Sequence, residues 1–123
     1  KKSELVFCGA HRPIYFVSQG KLSEFKSIRL SVGGFSGNNK KTFVDTAMRY
    51  QKGAALYLFS DGYGDQFGGT VNRRFSTKEM KKLFLRIYSL NSDAQLEEVQ
   101  RAFNDWIINR NQTDDVLVLG VKL

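Results

Sequence analysis

Apolar residues come in short unbroken runs in the first half of the chain and at helical spacing in the second. Glu4 to Cys8, Ile14 to Val17 and Lys21 to Lys26 read as strands, the last two joined by a Gln19-Gly20 hairpin signal. Val32 to Asn39, rich in Gly, Ser and Asn, reads as a loop. Thr42 to Met48 alternates, which predicts a half-buried strand with Phe43, Asp45 and Ala47 on one face. After a Lys52-Gly53 turn, Ala54 to Phe59 is apolar throughout and stops on Ser60-Asp61-Gly62. A run of that length bounded by turn residues predicts a strand buried on both faces, with the Asp61 carboxylate at its end.

The period then changes. Gly62 to Gly69 is a glycine-rich loop that lacks the Lys-Ser/Thr ending of a Walker phosphate loop. Ser76-Thr77-Lys78-Glu79 makes a capping box, followed by Met80, Leu83, Phe84 and Ile87 at helical spacing. Ser92-Asp93-Ala94-Gln95 makes another, followed by Leu96, Val99, Phe103 and Trp106. These predict two amphipathic helices covering one face of a sheet, their apolar stripes belonging to the core. Gln112-Thr113-Asp114-Asp115 then introduces a last apolar run, Val116 to Val121, expected as a second buried strand. The order of strands, two helices and a strand is α+β.

Composition narrows the class of function. The chain has 123 residues, enough for one domain with a real core. Its net charge of +7 raises nucleic-acid binding, but the basic residues lie scattered in pairs such as Lys40-Lys41, Arg73-Arg74 and Lys81-Lys82. Neither a stripe nor a zinc-finger pattern accompanies them, which argues against nucleic acid, and a positive surface suits an acidic or phosphorylated partner equally well. No apolar run approaches the ~20 residues of a membrane span, and no signal peptide is visible. The lone Cys8 forms no internal disulfide and reads as a small buried strand residue. The expectation is a cytoplasmic domain.

Candidate chemistry rests on two acids. If the strand ending at Asp61 and the strand beginning after Asp114 are antiparallel neighbours, the two carboxylates meet at one sheet end, because paired strands lie about 4.8 Å apart. Asp114 and Asp115 repel each other at the mouth of an apolar strand, and a cation relieves that repulsion. Oxygen ligands of this kind suit Mg²⁺ or Mn²⁺, and the absence of a His cluster or Cys pair argues against zinc. Each motif alone is ordinary turn chemistry.

Together the motifs resemble a family. Cys8-Gly9-Ala10-His11-Arg12-Pro13-Ile14, Val32-Gly33-Gly34, Leu56 to Tyr63 running into Asp65-Gln66-Phe67-Gly68-Gly69, Trp106, and Gln112 to Val118 stand in the order seen in metal-dependent protein serine/threonine phosphatases of the protein phosphatase 2C type. The similarity is to the SpoIIE-like branch and to the C-terminal portion of its domain, over residues 1–123. It implies part of an α/β/β/α sandwich of mainly antiparallel sheets, with two helices packed on one face. It also implies a binuclear Mn²⁺ or Mg²⁺ centre, with Asp61 and Asp114 as two of its ligands and Asp115 beside them, and hydrolysis of phosphoserine or phosphothreonine by metal-activated water. The implied substrate is a phosphoprotein of the anti-sigma-antagonist type, and the implied context is bacterial signalling under upstream sensor or regulatory domains.

One part of the family pattern is missing. The bridging aspartate of an Asp-x-x-Gly element belongs upstream of Gly9-Ala10-His11-Arg12-Pro13, and only Glu4 precedes that stretch. The expectation is therefore half an active site, catalytically incompetent alone and holding metal weakly. The open sheet edges that follow predict a dimer or a domain swap. His11, Arg12, Asp65 and the Arg73-Arg74 pair read as loop-shaping or solvated residues. The alternative is a non-catalytic interaction module of the same fold.

Overall fold

A computed structural model describes residues 3–33 and 42–123, and most of the Val32–Asn39 loop lies outside the described residues. β1 (Glu4–Phe7) leads to β2 (Ile14–Ser18) and β3 (Lys21–Phe25), and β4 (Thr46–Arg49) and β5 (Ala55–Phe59) follow. A short α1 (Asp61–Asp65) interrupts the glycine-rich stretch, and β6 (Phe67–Gly68) and β7 (Arg73–Arg74) form a small ribbon after it. Then come α2 (Ser76–Ile87), α3 (Ser92–Ile107) and β8 (Val118–Lys122).

The main sheet is antiparallel in the order β3-β2-β5-β8, and β1 pairs with β4 in a separate ribbon. The β2–β3 hairpin turns on Gln19 and Gly20, both at positive φ (51° and 72°), the backbone of a tight two-residue turn. The fold is α+β, as the hydrophobic pattern predicts.

Apolar residues on both faces of β2 and β5 divide the core in two. One face carries Tyr15, Val17, Ala55 and Tyr57 against Met80, Leu83, Phe84 and Ile87 of α2 and Phe103 of α3. Phe84 is fully buried and stacks on Tyr57 with ring centroids 4.2 Å apart; burying a side chain of this size contributes about 1.5–3 kcal/mol. The other face carries Ile14, Phe16 and Ala54 against Met48 of β4, with Leu5 and Phe7 of β1 packed alongside. The layers are thus helices, four-stranded sheet and two-stranded ribbon.

Four details depart from the sequence pattern. β4 covers only Thr46–Arg49 and turns Met48 inward, so Ala47, exposed, is on the outer face and Asp45 precedes the strand. Cys8 lies just past β1 and is exposed, not buried. Asn91 rather than Ser92 caps α3, its side chain accepting from the Ala94 N–H at 2.8 Å. Leu96 of α3 is exposed, and buried Gln95 takes the inward position.

The largest departure is β8. It is an edge strand, and only Val118 of its five residues is even half-buried. Val118 packs into the helix-side core and the Gly120 position lies against Tyr57, whereas Leu119 and Val121 alternate onto the ribbon side. There the two-stranded ribbon is too narrow to cover them, and Leu119 is 52% exposed. An apolar strand pattern reports the capacity to be buried; it does not say which neighbour does the covering.

Candidate metal centre

β5 is followed by Ser60, whose extended backbone (φ −79°, ψ 168°) passes straight into α1, so that Asp61 is the first helical residue. Pairing of β5 with β8 in the register Phe59–Val118 brings the segment ahead of β8 alongside this turn. Ser60 fastens the two. Its N–H donates to the Leu117 carbonyl, its hydroxyl donates to the Asp115 carbonyl, and the Leu117 N–H donates to that hydroxyl, each at 2.9 Å. Gly62 permits the approach, because a Cβ there would lie 2.3 Å from the Asp115 carbonyl oxygen. The end of one strand does lie beside the beginning of the other, as the antiparallel arrangement requires.

The two acids have different partners within this shared corner. Arg12, from the bend between β1 and β2, donates through Nη2 to Asp61 Oδ2. Asp114 is exposed, and its Oδ1 accepts the Asp115 N–H at 2.7 Å. Asp65 pairs with Arg74 at 3.1 Å and so fixes the loop to the β6–β7 ribbon. Arg74 lies over the Phe67 ring and Arg73 over the Trp106 ring, each 5.6 Å from the centroid. His11 adopts φ 60° and its Nε2 lies 3.1 Å from Ser31 Oγ, a loop-shaping placement.

Gln66 organises the corner and was not singled out as a site residue by the sequence pattern. It is fully buried. Its side-chain oxygen accepts the Thr113 N–H at 3.1 Å, and its amide nitrogen donates to the Asn111 carbonyl at 3.1 Å. Its own carbonyl accepts the Trp106 indole N–H at 3.0 Å and the Phe75 N–H at 2.9 Å. One side chain therefore ties the stretch that delivers Asp114 to the stretch that follows Asp61. A glutamine between Asp65 and Phe67 gives little local sign of this role, since all its tertiary partners are more than eight residues away.

The donor set suits a hard cation but only in part. Asp61 and Asp114 offer carboxylate oxygen, which matches Mg²⁺ and Mn²⁺. Among the described residues no group of three or more His, Cys, Asp or Glu side chains gathers to hold a metal. The Arg12 guanidinium already supplies Asp61 with positive charge.

Residues 1–123 match the family model described as Stage II sporulation protein E (SpoIIE). The chain belongs to the SpoIIE family. Its fold superposes on the SiaA-PP2C domain of Pseudomonas aeruginosa with a TM-score of 0.87 at 22% identity, over 99% of this chain and 47% of that one. The PP2C phosphatase domain of SpoIIE from Bacillus subtilis, solved with a fragment of its regulatory domain, gives a TM-score of 0.67 at 17% identity, over 99% and 34%. The Mycobacterium tuberculosis serine/threonine phosphatase PstP/Ppp gives 0.55 at 14%, over 98% and 55%. At these identities the likeness establishes the PP2C fold. The chain spans about half or less of the SiaA and SpoIIE chains it matches. No curated protein matches it in sequence.

Proposed function

We propose that this chain supplies two metal-binding carboxylates, Asp61 and Asp114, to a Mn²⁺- or Mg²⁺-dependent protein serine/threonine phosphatase. The observation that carries the reading is the Ser60–Asp115 interlock, which holds the two acid-bearing elements side by side in a member of a phosphatase family. When bound, the ions lower the pKa of a coordinated water and neutralise phosphoryl charge. Within this chain Asp61 and Asp114 bind, while Ser60, Gly62 and Gln66 position them.

Residues 1–123 act as the C-terminal portion of the domain, and the remaining ligands come from a complementary portion. The same portion covers the ribbon-side residues Leu119 and Val121; without it the isolated chain is inactive and associates as a dimer or swapped pair. The substrate is a phosphoserine or phosphothreonine of a signalling phosphoprotein in the bacterial cytoplasm, with control by sensor or regulatory domains.

The test is Mn²⁺-dependent hydrolysis of a phosphoserine peptide by the full-length gene product, wild type against Asp61→Asn and Asp114→Asn. Loss of activity in both variants supports the assignment, and full activity in both removes it. Light scattering checks the association, which a stable monomer at all concentrations rules out. A rival reading, a non-catalytic interaction module, draws on the Arg12–Asp61 pair, which leaves Asp61 neutralised without metal. It predicts no Mn²⁺-dependent activity in the full-length wild-type protein.

A further inference from the structure

A groove of about 620 Å³ runs along the outside of the helix layer, between the β2–β3 hairpin and α2. Its walls are fixed at both ends. The Gly20 N–H at the hairpin tip donates to the Tyr88 hydroxyl beyond α2 at 3.0 Å, and Lys81 Nζ of α2 meets Glu24 of β3 at 2.6 Å. Lys81 is held further by the Tyr15 ring, 5.2 Å from its nitrogen.

Among the described residues, every charged one that lines the groove is a lysine: Lys21, Lys78, Lys81 and Lys82. Lys81 and Lys82 are offset by Glu24 and Glu79. Lys21 and Lys78 are exposed, and among the described residues neither has a carboxylate within ion-pairing distance. Between the lysines lie two aliphatic side chains, Leu22 and Leu85, the latter 38% exposed. Two uncompensated cations flanking an apolar floor form a recognition surface of definite chemistry.

We propose that this groove docks an acidic segment of a partner protein, its carboxylates on Lys21 and Lys78 and one aliphatic side chain on Leu22 and Leu85. Complementary charge of this kind steers encounter and fixes register, while the apolar anchor adds affinity. The lining distinguishes this occupant from single-stranded nucleic acid, whose bases stack on aromatic platforms, because among the described residues no aromatic side chain lines the groove. The inference does not rest on the phosphatase reading, since none of these residues belongs to the corner around Asp61.

The experiment is fluorescence anisotropy of a labelled Asp/Glu-rich peptide with one central leucine, titrated with the chain. Saturable binding is expected, weakened about tenfold or more by Lys21→Glu with Lys78→Glu and by replacing the peptide leucine with glycine. A control with the same change in net charge, Lys52→Glu with Arg110→Glu at two exposed sites, should bind within about twofold of wild type. Amide shifts on peptide addition should map to Lys21, Lys78 and Leu85, a readout that needs no variant. Equal loss in the control pair, shifts confined to other surfaces, or tighter binding of a single-stranded oligonucleotide or of phosphatidylserine vesicles would overturn the proposal.

Discussion

The backbone of Gly62 packs so closely on the carbonyl of Asp115 that an added methyl group would stand 2.3 Å from that oxygen. The contact opposes backbone to backbone, so no flexible side chain can give way. Gly62→Ala should push the Asp61 turn away from the segment that carries Asp114. The expected loss is about 1–3 kcal/mol of stability, the usual cost of overpacking a tight site. Thermal or urea unfolding measures it, and an unchanged midpoint would show that the two segments are free to part.

Gln66→Ala should have a different signature. It removes a buried side chain that satisfies the Thr113 N–H and the Asn111 carbonyl, leaving both without that partner. Unpaired buried groups cost about 1–3 kcal/mol each, discounted where water reaches them. Because residues 111–113 lead directly to Asp114, amide hydrogen exchange there should quicken more than in β2 or β5. Uniform quickening across the molecule would instead mark Gln66 as an ordinary core residue with no local positioning role.

Much of this arrangement is legible along the chain, and the boundary of legibility is physical. β5 and α2 follow from runs and periods that depend only on near neighbours. The meeting of the Asp61 and Asp114 segments follows from one further assumption, antiparallel pairing, which the β5–β8 register bears out. What the pattern misses is long-range. Arg12 reaches Asp61 across 49 residues, Gln66 reaches Thr113 across 47, and the exposure of Leu119 depends on how wide the opposing ribbon is. Cys8 shows the same limit at short range, since alternation along β1 turns Leu5 and Phe7 inward and leaves Cys8 on the outer face with Glu4 and Val6.

Arg12→Gln tests whether the guanidinium competes with a cation at Asp61. Both side chains are about half exposed, at 53% and 43%, so the pair is worth no more than about 1 kcal/mol and the fold should survive its loss. Removing a competing positive charge of that value should raise Mn²⁺ affinity by roughly fivefold. Calorimetric titration of the chain with MnCl₂ measures it. Weaker Mn²⁺ binding in the variant would mean that Arg12 supports the carboxylate's geometry instead of competing for it.

High pH should unfold the protein through its buried tyrosines. Burial pushes the Tyr15 hydroxyl from 10.0 to about 12, with the charge of Glu24 adding to the shift, and burial raises Tyr57 and Tyr63 further. Below pH 10 all three are protonated in both the folded and the unfolded chain, so their contribution is fully present. Above it the unfolded chain ionises first and gains stability relative to the native state, and stability falls as pH climbs through 10 toward about 12. Tyr57 adds a structural penalty, because its hydroxyl donates to Gln95 Oε1 at 2.7 Å and a phenolate has no proton to give. Gln95 in turn donates to the Tyr88 and Leu90 carbonyls, so the disturbance reaches the junction between α2 and α3. During an alkaline titration, the share of phenolate absorbance due to these three of the five tyrosines should appear in one cooperative step with the loss of the far-ultraviolet circular dichroism signal. Tyrosine ionisation that runs to completion at its ordinary pKa while the helical signal stays intact would show these hydroxyls to be in contact with water.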